Sequence, residues 1–379
     1  MDVRTYTDRS ALDLIAPAWD RLALKGRFFV PPFCQLRRQL EAEDARFLIA
    51  IAEVDDEISA IACFAFARMK RTFEVASHRL FALPVDLATL YGSCIVGDPC
   101  EDTVRQLIAP LLETGGFDIF LTGTVFSNSP ICRALDAQTS MLLWSERRKP
   151  AVWSLIELPG TWDAYVGSMH ERTRAHLLRD CRLFDKARVE LRVIEAEADV
   201  PFFLGEAGKV SRLTYQWQLG FGVSDTPAQR SRLQALARDG NLRAYLLYRD
   251  GQVCAFGWGV LAYRRFLFEA MGYDPALKRT SPGTSLMMRM IRDLIESTNC
   301  RIFDFKWGTA DGYKSRFANF RTECDSLNLG SRSRAAAVLV RLLDLTINAA
   351  KQTAALVVEH PAFGQRYRAV LRRLGKGTY

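Results

Sequence analysis

Residues 265–297 read RFLFEAMGY, then DPALKRTS, then PGTSLMMRMIRDLIES. The first nine residues have the aromatic and apolar content of a strand, and the next eight carry the turn-forming residues of a loop. Pro282 then opens a helix to Ser297, with Leu286, Met290 and Leu294 spaced four apart on one side. Residues 300–307 read as another buried strand. Upstream, residues 242–248 and 253–263 form a hairpin across Arg249-Asp250-Gly251-Gln252. The order is hairpin, strand, loop, helix, strand.

The first half of the chain replays that order. Residues 47–54 and 58–68 form a hairpin across Asp55-Asp56-Glu57, and residues 80–83 and 90–96 supply further strand. Asp102 caps a helix through residue 112, with Val104, Leu107 and Leu111 on one side, and Gly115-Gly116 stops it. Residues 117–125 close the series as a buried strand. The two series start roughly 195 residues apart, the signature of two similar domains in tandem. The expected fold class is therefore α/β with mixed sheets. Two GNAT-sized units, 1–158 and 159–330, meet near Leu158-Pro159-Gly160, and a basic amphipathic helical tail spans 331–379.

Hydrophobic residues make up 49% of the 379 and charged residues 25%, which excludes wholesale disorder, collagen-like structure and coiled-coil rods. No stretch reaches the roughly 18 uncharged apolar residues of a membrane-spanning helix, and Met1-Asp2-Val3-Arg4 opens no signal peptide. A cytoplasmic location is expected. Nine cysteines without a CxxC pair read as buried thiols, and four histidines without HExxH give no metal site to expect. The net charge of +8 is uneven: residues 331–379 hold nine basic residues against Asp344 and Glu359. Residues 1–330 are thus close to neutral, and a nucleic-acid partner is not expected.

At Phe268-Glu-Ala-Met-Gly-Tyr-Asp-Pro, Ser281-Pro-Gly-Thr-Ser-Leu, Phe303-Asp-Phe-Lys-Trp-Gly and Gly312-Tyr-Lys-Ser-Arg-Phe, the sequence resembles the GNAT acyltransferase superfamily. More narrowly it is similar to the subfamily associated with cellulose and other polysaccharide biosynthesis, a relative of the Fem-type peptidyltransferases, which carry two GNAT-like domains. The likeness covers about residues 160–330, and the first half by order of elements. It implies that the pyrophosphate of acetyl-CoA sits on Ser281, Gly283 and Thr284 with Lys278 and Arg279 beside it. The backbone from Glu269 through Ala270, Met271 and Gly272 holds the pantetheine. A helix N-terminus favours an anion on its own account. The loop Arg279-Thr280-Ser281-Pro282-Gly283-Thr284 departs from the family pattern of Gln or Arg, two residues, Gly, one residue, Gly or Ala. Fem-type relatives use aminoacyl-tRNA, which keeps that donor open.

Acyl transfer from a thioester needs a base, a donor to the oxyanion and an acid for the leaving thiolate. Glu269 and Asp304, on adjacent predicted strands, are the candidate bases. Tyr313 is the candidate acid, and Lys314 a candidate for the oxyanion or an acceptor phosphate, matching the Tyr-Lys pair of the resembled subfamily. A helical segment over 162–186 crowds Arg172, Arg174, His176, Arg179, Arg182 and Lys186 into an electropositive wall. Within it Arg172, Arg174 and Arg179 match an arginine-rich helix of that subfamily, and Tyr215 and Trp217 an aromatic position after it. These five are the expected acceptor contacts, arginines for phosphate and Trp217 for a sugar ring.

In the tail, Val338, Leu342, Leu345, Ala349 and Leu356 form an apolar stripe opposite Arg334, Arg341 and Asp344. Pro361 ends this helix, and Phe363, Tyr367, Val370 and Leu374 resume helical spacing among arginines. Such a stripe suits attachment to an anionic inner-membrane surface, or docking onto the protein's own body. The expected function is N-acetyl transfer from acetyl-CoA, without a metal, to a small-molecule or lipid-linked amino sugar or sugar precursor of an exopolysaccharide. A non-catalytic nucleotide-binding module is the alternative class.

Overall fold

Asp55 and Asp56 both take left-handed backbone conformations (φ 51° and 61°), and Asp250 and Gly251 do the same (φ 51° and 79°). Positive φ at both central residues is what a two-residue hairpin turn requires, so both halves are seeded by the same local chemistry. A computed structural model describes residues 1–359 except 27–28, 42–44, 76–77, 139–141, 148–150, 219, 221, 309–311 and 333. In chain order the first half contains β1 (Asp2–Tyr6), α1 (Ser10–Lys25), α2 (Phe33–Glu41), β2 (Arg46–Val54), β3 (Glu57–Val75), β4 (His78–Leu90), β5 (Val96–Gly97), α3 (Glu101–Thr114), β6 (Ile119–Phe126), α4 (Pro130–Ala137), β7 (Leu142–Arg147) and β8 (Ala151–Glu157). The second contains α5 (Trp162–Ser168), α6 (Glu171–Phe184), β9 (Val189–Ile194), α7 (Val200–Ser211), α8 (Tyr215–Gln218), α9 (Pro227–Arg238), β10 (Leu242–Arg249), β11 (Gln252–Ala262), β12 (Arg265–Tyr273), α10 (Pro282–Ser297), β13 (Ile302–Gly308), β14 (Phe320–Ser331) and α11 (Ala335–Glu359).

The strands join one mixed sheet in the order β1-β2-β3-β4-β6-β14-β8-β13-β12-β11-β10-β9, with β5 on β3 and β7 on β14. Each half repeats one architecture: an antiparallel meander, a crossover helix (α3 or α10), and a strand returning parallel to the meander's last member. That parallel contact is short in both, Leu87–Thr89 against Ile119–Leu121 and Arg265–Leu267 against Ile302–Asp304. The halves exchange their closing strands. β8, from the first half, pairs with β13, and β14, from the second, pairs with β6 and also with β8.

Helix α10 buries Leu286, Met287, Met290, Ile291 and Leu294 against β11 and β12, each contributing about 1.5–3 kcal/mol by leaving water. Helix α3 does the same in the first half with Val104, Leu107, Ile108 and Leu111, and Gly115 ends it in the left-handed conformation (φ 55°).

Several sequence expectations need correction. The N-cap of α3 is Cys100, with Asp102 in the first turn, and Cys100 is exposed while Cys34 and Cys181 are half-buried. No strand runs over 90–96: β4 stops at Leu90, where Gly92 and Ser93 turn left-handed (φ 66° and 56°). The segment 162–186 is two helices, broken where Met169 and His170 are extended. In the tail, Ala337 and Val340 are buried, whereas Val338, Leu342 and Leu345 face solvent. The stripe residue Leu356, together with Pro361 and the series from Phe363 to Leu374, lies outside the described side chains.

An ion cluster around the buried Arg243 fixes α10 against the sheet. Arg243 on β10 donates from Nε (2.7 Å) and a terminal nitrogen (2.9 Å) to the two carboxylate oxygens of Asp293, and also pairs with Glu195. The buried Tyr245 hydroxyl donates to the same Asp293 carboxylate at 2.9 Å. Removing the cation strands a carboxylate in a dry site. Arg243→Met is expected to lower unfolding free energy by about 3–5 kcal/mol in a denaturant titration.

Candidate active site

Beyond Leu267 and Asp304, β12 and β13 no longer pair. Both strands are irregular at that level. The register of β12 on β11 passes from Phe268 opposite Gly259 to Ala270 opposite Trp258, so Glu269 is an unpaired bulge residue. The register of β13 on β8 shifts between Asp304 and Trp307, and Lys306 between them has φ 61°. Bulges re-aim side chains at such places, and here Lys306 Nζ lies 3.0 Å from Glu269 Oε1, with Arg232 of α9 at 3.5 Å from the same oxygen. The splay also frees backbone groups on the facing edges, which need partners. On β13, Lys314 supplies them: its Nζ donates to the carbonyls of Phe305 (2.6 Å) and Trp307 (3.1 Å). Burial pushes the Lys314 ammonium pKa down, against the pull of Asp304.

Two cavities open from the wedge. The larger, about 960 Å³, is lined by Met271, Gly272 and Tyr273 on β12, by Lys278, Arg279, Ser281, Gly283 and Thr284, and by His176, Arg179 and Arg316. The smaller, about 490 Å³, is lined by Glu269, Ala270, Phe305, Lys306, Trp307 and Lys314. Thr214, Met271 and Tyr313 border both, so the two spaces adjoin at the Tyr313 side chain.

The larger cavity ends at the N-terminus of α10. Pro282 at the first helical position has no N–H, and the Ser281 amide is taken by the Lys278 carbonyl at 3.1 Å. The amides of Gly283 and Thr284 therefore remain without an intrahelical acceptor. No acidic residue stands in this first turn, whereas α3, its counterpart, carries Glu101 and Asp102 there. Of these two crossover helices, α10 is the one whose first turn favours an anion. The first half's own wedge is nearly filled: Ser93 occupies the space a Cβ would take on Gly123, leaving about 70 Å³.

Of the residues singled out in the sequence, Glu269, Tyr313, Lys314, Ala270, Met271, Gly272, Lys278, Arg279, Ser281, Gly283 and Thr284 come together around the two cavities. Asp304 does not. It faces the first half's remnant cavity, fully buried, with Oδ1 accepting from Trp153 Nε1 (2.8 Å) and the Lys306 amide (2.7 Å). The bond from the Lys306 amide fastens the left-handed turn whose side chain reaches Glu269. Arg179 lines the larger cavity with Lys278 and Arg279, whereas Arg172 and Arg174 line neither cavity. Trp217 also lies off both cavities, against Gly222 and with the Arg212 guanidinium 5.9 Å from its ring. The side chain of Tyr215 is outside the described residues. Lys306, Trp307 and Arg232 were not singled out; the strand end Lys306-Trp307-Gly308 carried the only signal. Among the described residues, no group of three His, Cys, Asp or Glu side chains is arranged to hold a metal ion.

Residues 171–315 match the family model described as an acetyltransferase (GNAT) domain. No curated protein matches the chain. Among solved structures, the crystal structure of FemX superimposes with a TM-score of 0.58 at 11% identity, covering 86% of this chain and 97% of that one. The C-terminal domain (DUF2156) of a protein described as a lysylphosphatidylglycerol synthetase from Agrobacterium fabrum gives 0.50 at 13% identity, covering 89% and 97%. The family match and this architecture identify a GNAT-type fold, with residues 171–315 inside the half that holds both cavities.

Two measurements test the geometry. Arg179→Ala with Lys278→Ala is expected to weaken coenzyme A binding about tenfold or more in calorimetry, and the wild-type affinity to fall with salt. Burial raises the Asp304 pKa to about 6, only partly offset by the Lys306 amide, Trp153 and Arg265. A carboxyl raised on folding favours the native state below its unfolded pKa, and that contribution is lost as pH rises through the folded value. Asp304→Asn keeps the acceptor oxygen without the titration. Its stability relative to wild type is expected to improve by up to about 3 kcal/mol between pH 4 and pH 7 in paired denaturant titrations.

Proposed function

We propose that this GNAT-fold transferase moves an acyl group, acetyl in the simplest case, from coenzyme A in the larger cavity to an amine held in the smaller one. The observation that carries the reading is the meeting of the two cavities at Tyr313 beside Glu269. Their linings differ as a donor and an acceptor site should. The larger has cations and free helix amides for a diphosphate, and the smaller has the Glu269 carboxylate, two lysines and aromatic walls.

In this scheme the acceptor amine attacks the thioester carbonyl in the wedge. Glu269 takes the amine proton directly or through one water, and its position is fixed by Lys306 and Arg232. A backbone N–H freed on β12 by the splay donates to the oxyanion. The C–S bond then breaks, and the Tyr313 hydroxyl protonates the departing thiolate. Lys314 keeps the β13 edge in place by occupying its carbonyls.

For the acceptor we propose an amino sugar or sugar precursor of an exported polysaccharide, free or lipid-linked. The resemblance in sequence supports the polysaccharide connection, and Trp307 supports the sugar: the residue is 54% exposed and lines the smaller cavity, where a sugar ring can stack on its indole. Lys306 beside it suits an acceptor that carries an acidic group. An aminoacyl-tRNA donor would call for basic surface across the body, and residues 1–330 are close to neutral.

The test is release of free coenzyme A from acetyl-CoA in the presence of a panel of amino sugars. Glu269→Gln is expected to lower kcat by about 100-fold or more with coenzyme A affinity unchanged, and Tyr313→Phe to lower kcat by about tenfold. Full turnover in both variants, or no thiol release with any amine, would overturn the proposal.

A further inference from the structure

Helix α11 lies on one face of the sheet, across β3, β7 and β14. Val340, Leu343 and Ile347 pack there against Phe73, Leu83, Val85 and Trp144. The docking is pinned by an Arg71–Asp344 ion pair at 2.7 Å and by Trp144 Nε1, which donates to the Ala337 carbonyl at 3.0 Å. The helix therefore covers its own body with one side. The other side leaves Val338, Leu339, Leu342 and Leu345 exposed, Leu342 at 56% and Leu345 at 50%.

The strands beneath extend this surface. Cross-strand partners point to the same face of a sheet, and Met69 is opposite Val85 while Phe81 is opposite and stacked on Phe73. Val85 and Phe73 are under α11, so Met69 and Phe81 emerge on the same face, and both are exposed. Six large apolar side chains thus share one surface of a helix and its supporting hairpin, the kind of patch that marks an interaction site.

Charge selects the occupant. Near the start of the helix Arg334 reaches the Gly115 carbonyl, and the two carboxylates beside it are each met by an arginine, Glu146 by Arg341 and Asp344 by Arg71. From residue 351 on, the chain adds six basic residues against Glu359. A second copy would bring the same positive surface against itself, and a nucleic acid would have no use for the leucines. No helix among the described residues is long and apolar enough to cross a bilayer. A half-docked helix with an apolar stripe and flanking arginines is built to lie in the plane of an anionic leaflet.

We infer that α11, with Met69 of β3 and Phe81 of β4, is a peripheral anchor for anionic lipid bilayers. Leu342, Leu345, Met69 and Phe81 enter the boundary between headgroups and acyl chains, and the arginines meet lipid phosphates. The inference is independent of the proposed acyl transfer.

The test uses the full chain in sedimentation with vesicles of equimolar phosphatidylglycerol and phosphatidylcholine, and with phosphatidylcholine alone. Binding to the anionic vesicles is expected to be at least about tenfold tighter and to fall steeply with salt. Leu342→Asp with Leu345→Asp changes two exposed positions, so its melting temperature should match wild type while its binding drops about tenfold or more. Absence of binding to anionic vesicles, or equal binding by the double variant, would overturn the inference. So would a dimer in light scattering that the double variant dissociates, which would assign the face to a second copy.

Discussion

Parallel pairing between β12 and β13 lasts three residues and then stops. Two strands that diverge inside a sheet leave backbone groups unmet on both edges, and the rest of the site answers that demand. Lys314 occupies the carbonyls of β13, and the bulge at Glu269 with the left-handed Lys306 turns the divergence into an ion pair. The edge of β12 is left to whatever enters the wedge. Asp304, behind the sheet, holds Lys306 in its turn through a 2.7 Å bond from the backbone amide. Shape and chemistry of the cavities thus follow from one local failure of strand pairing.

The first half has the same failure and a different outcome. Its parallel contact is equally short, but residues 91–95 fold back into the gap, and the helix that would receive a phosphate begins with Glu101 and Asp102. The two halves share a scaffold and differ in the space they leave open. The strand exchange of β8 and β14 joins them, so the first half supports the wedge it no longer opens: β8 carries Trp153, which bonds Asp304.

How much of this was legible in the sequence follows from the range of the interactions. Strand β12 and helix α10 run over the residues their apolar patterns predict, because both are decided by local periodicity and turn chemistry. The start of α10, where the larger cavity ends, was legible for the same reason. Asp304 was misread because β13 is buried on both faces, so alternation does not reveal where a side chain points. Lys306, Arg232 and Trp307 were missed because their meeting with Glu269 depends on two bulges and a helix 37 residues away. The exchange of closing strands is non-local and left no trace in composition. In the tail, the helix was legible but not the side it docks with, because both sides are apolar.

Hydrogen–deuterium exchange with and without coenzyme A reads the wedge most directly. If the freed edge of β12 and the start of α10 hold the donor, amides of Ala270, Met271, Gly272, Gly283 and Thr284 slow on binding while those around Glu101 do not change. Protection centred on the start of α3, or none in β12 and α10 under saturating ligand, would contradict it.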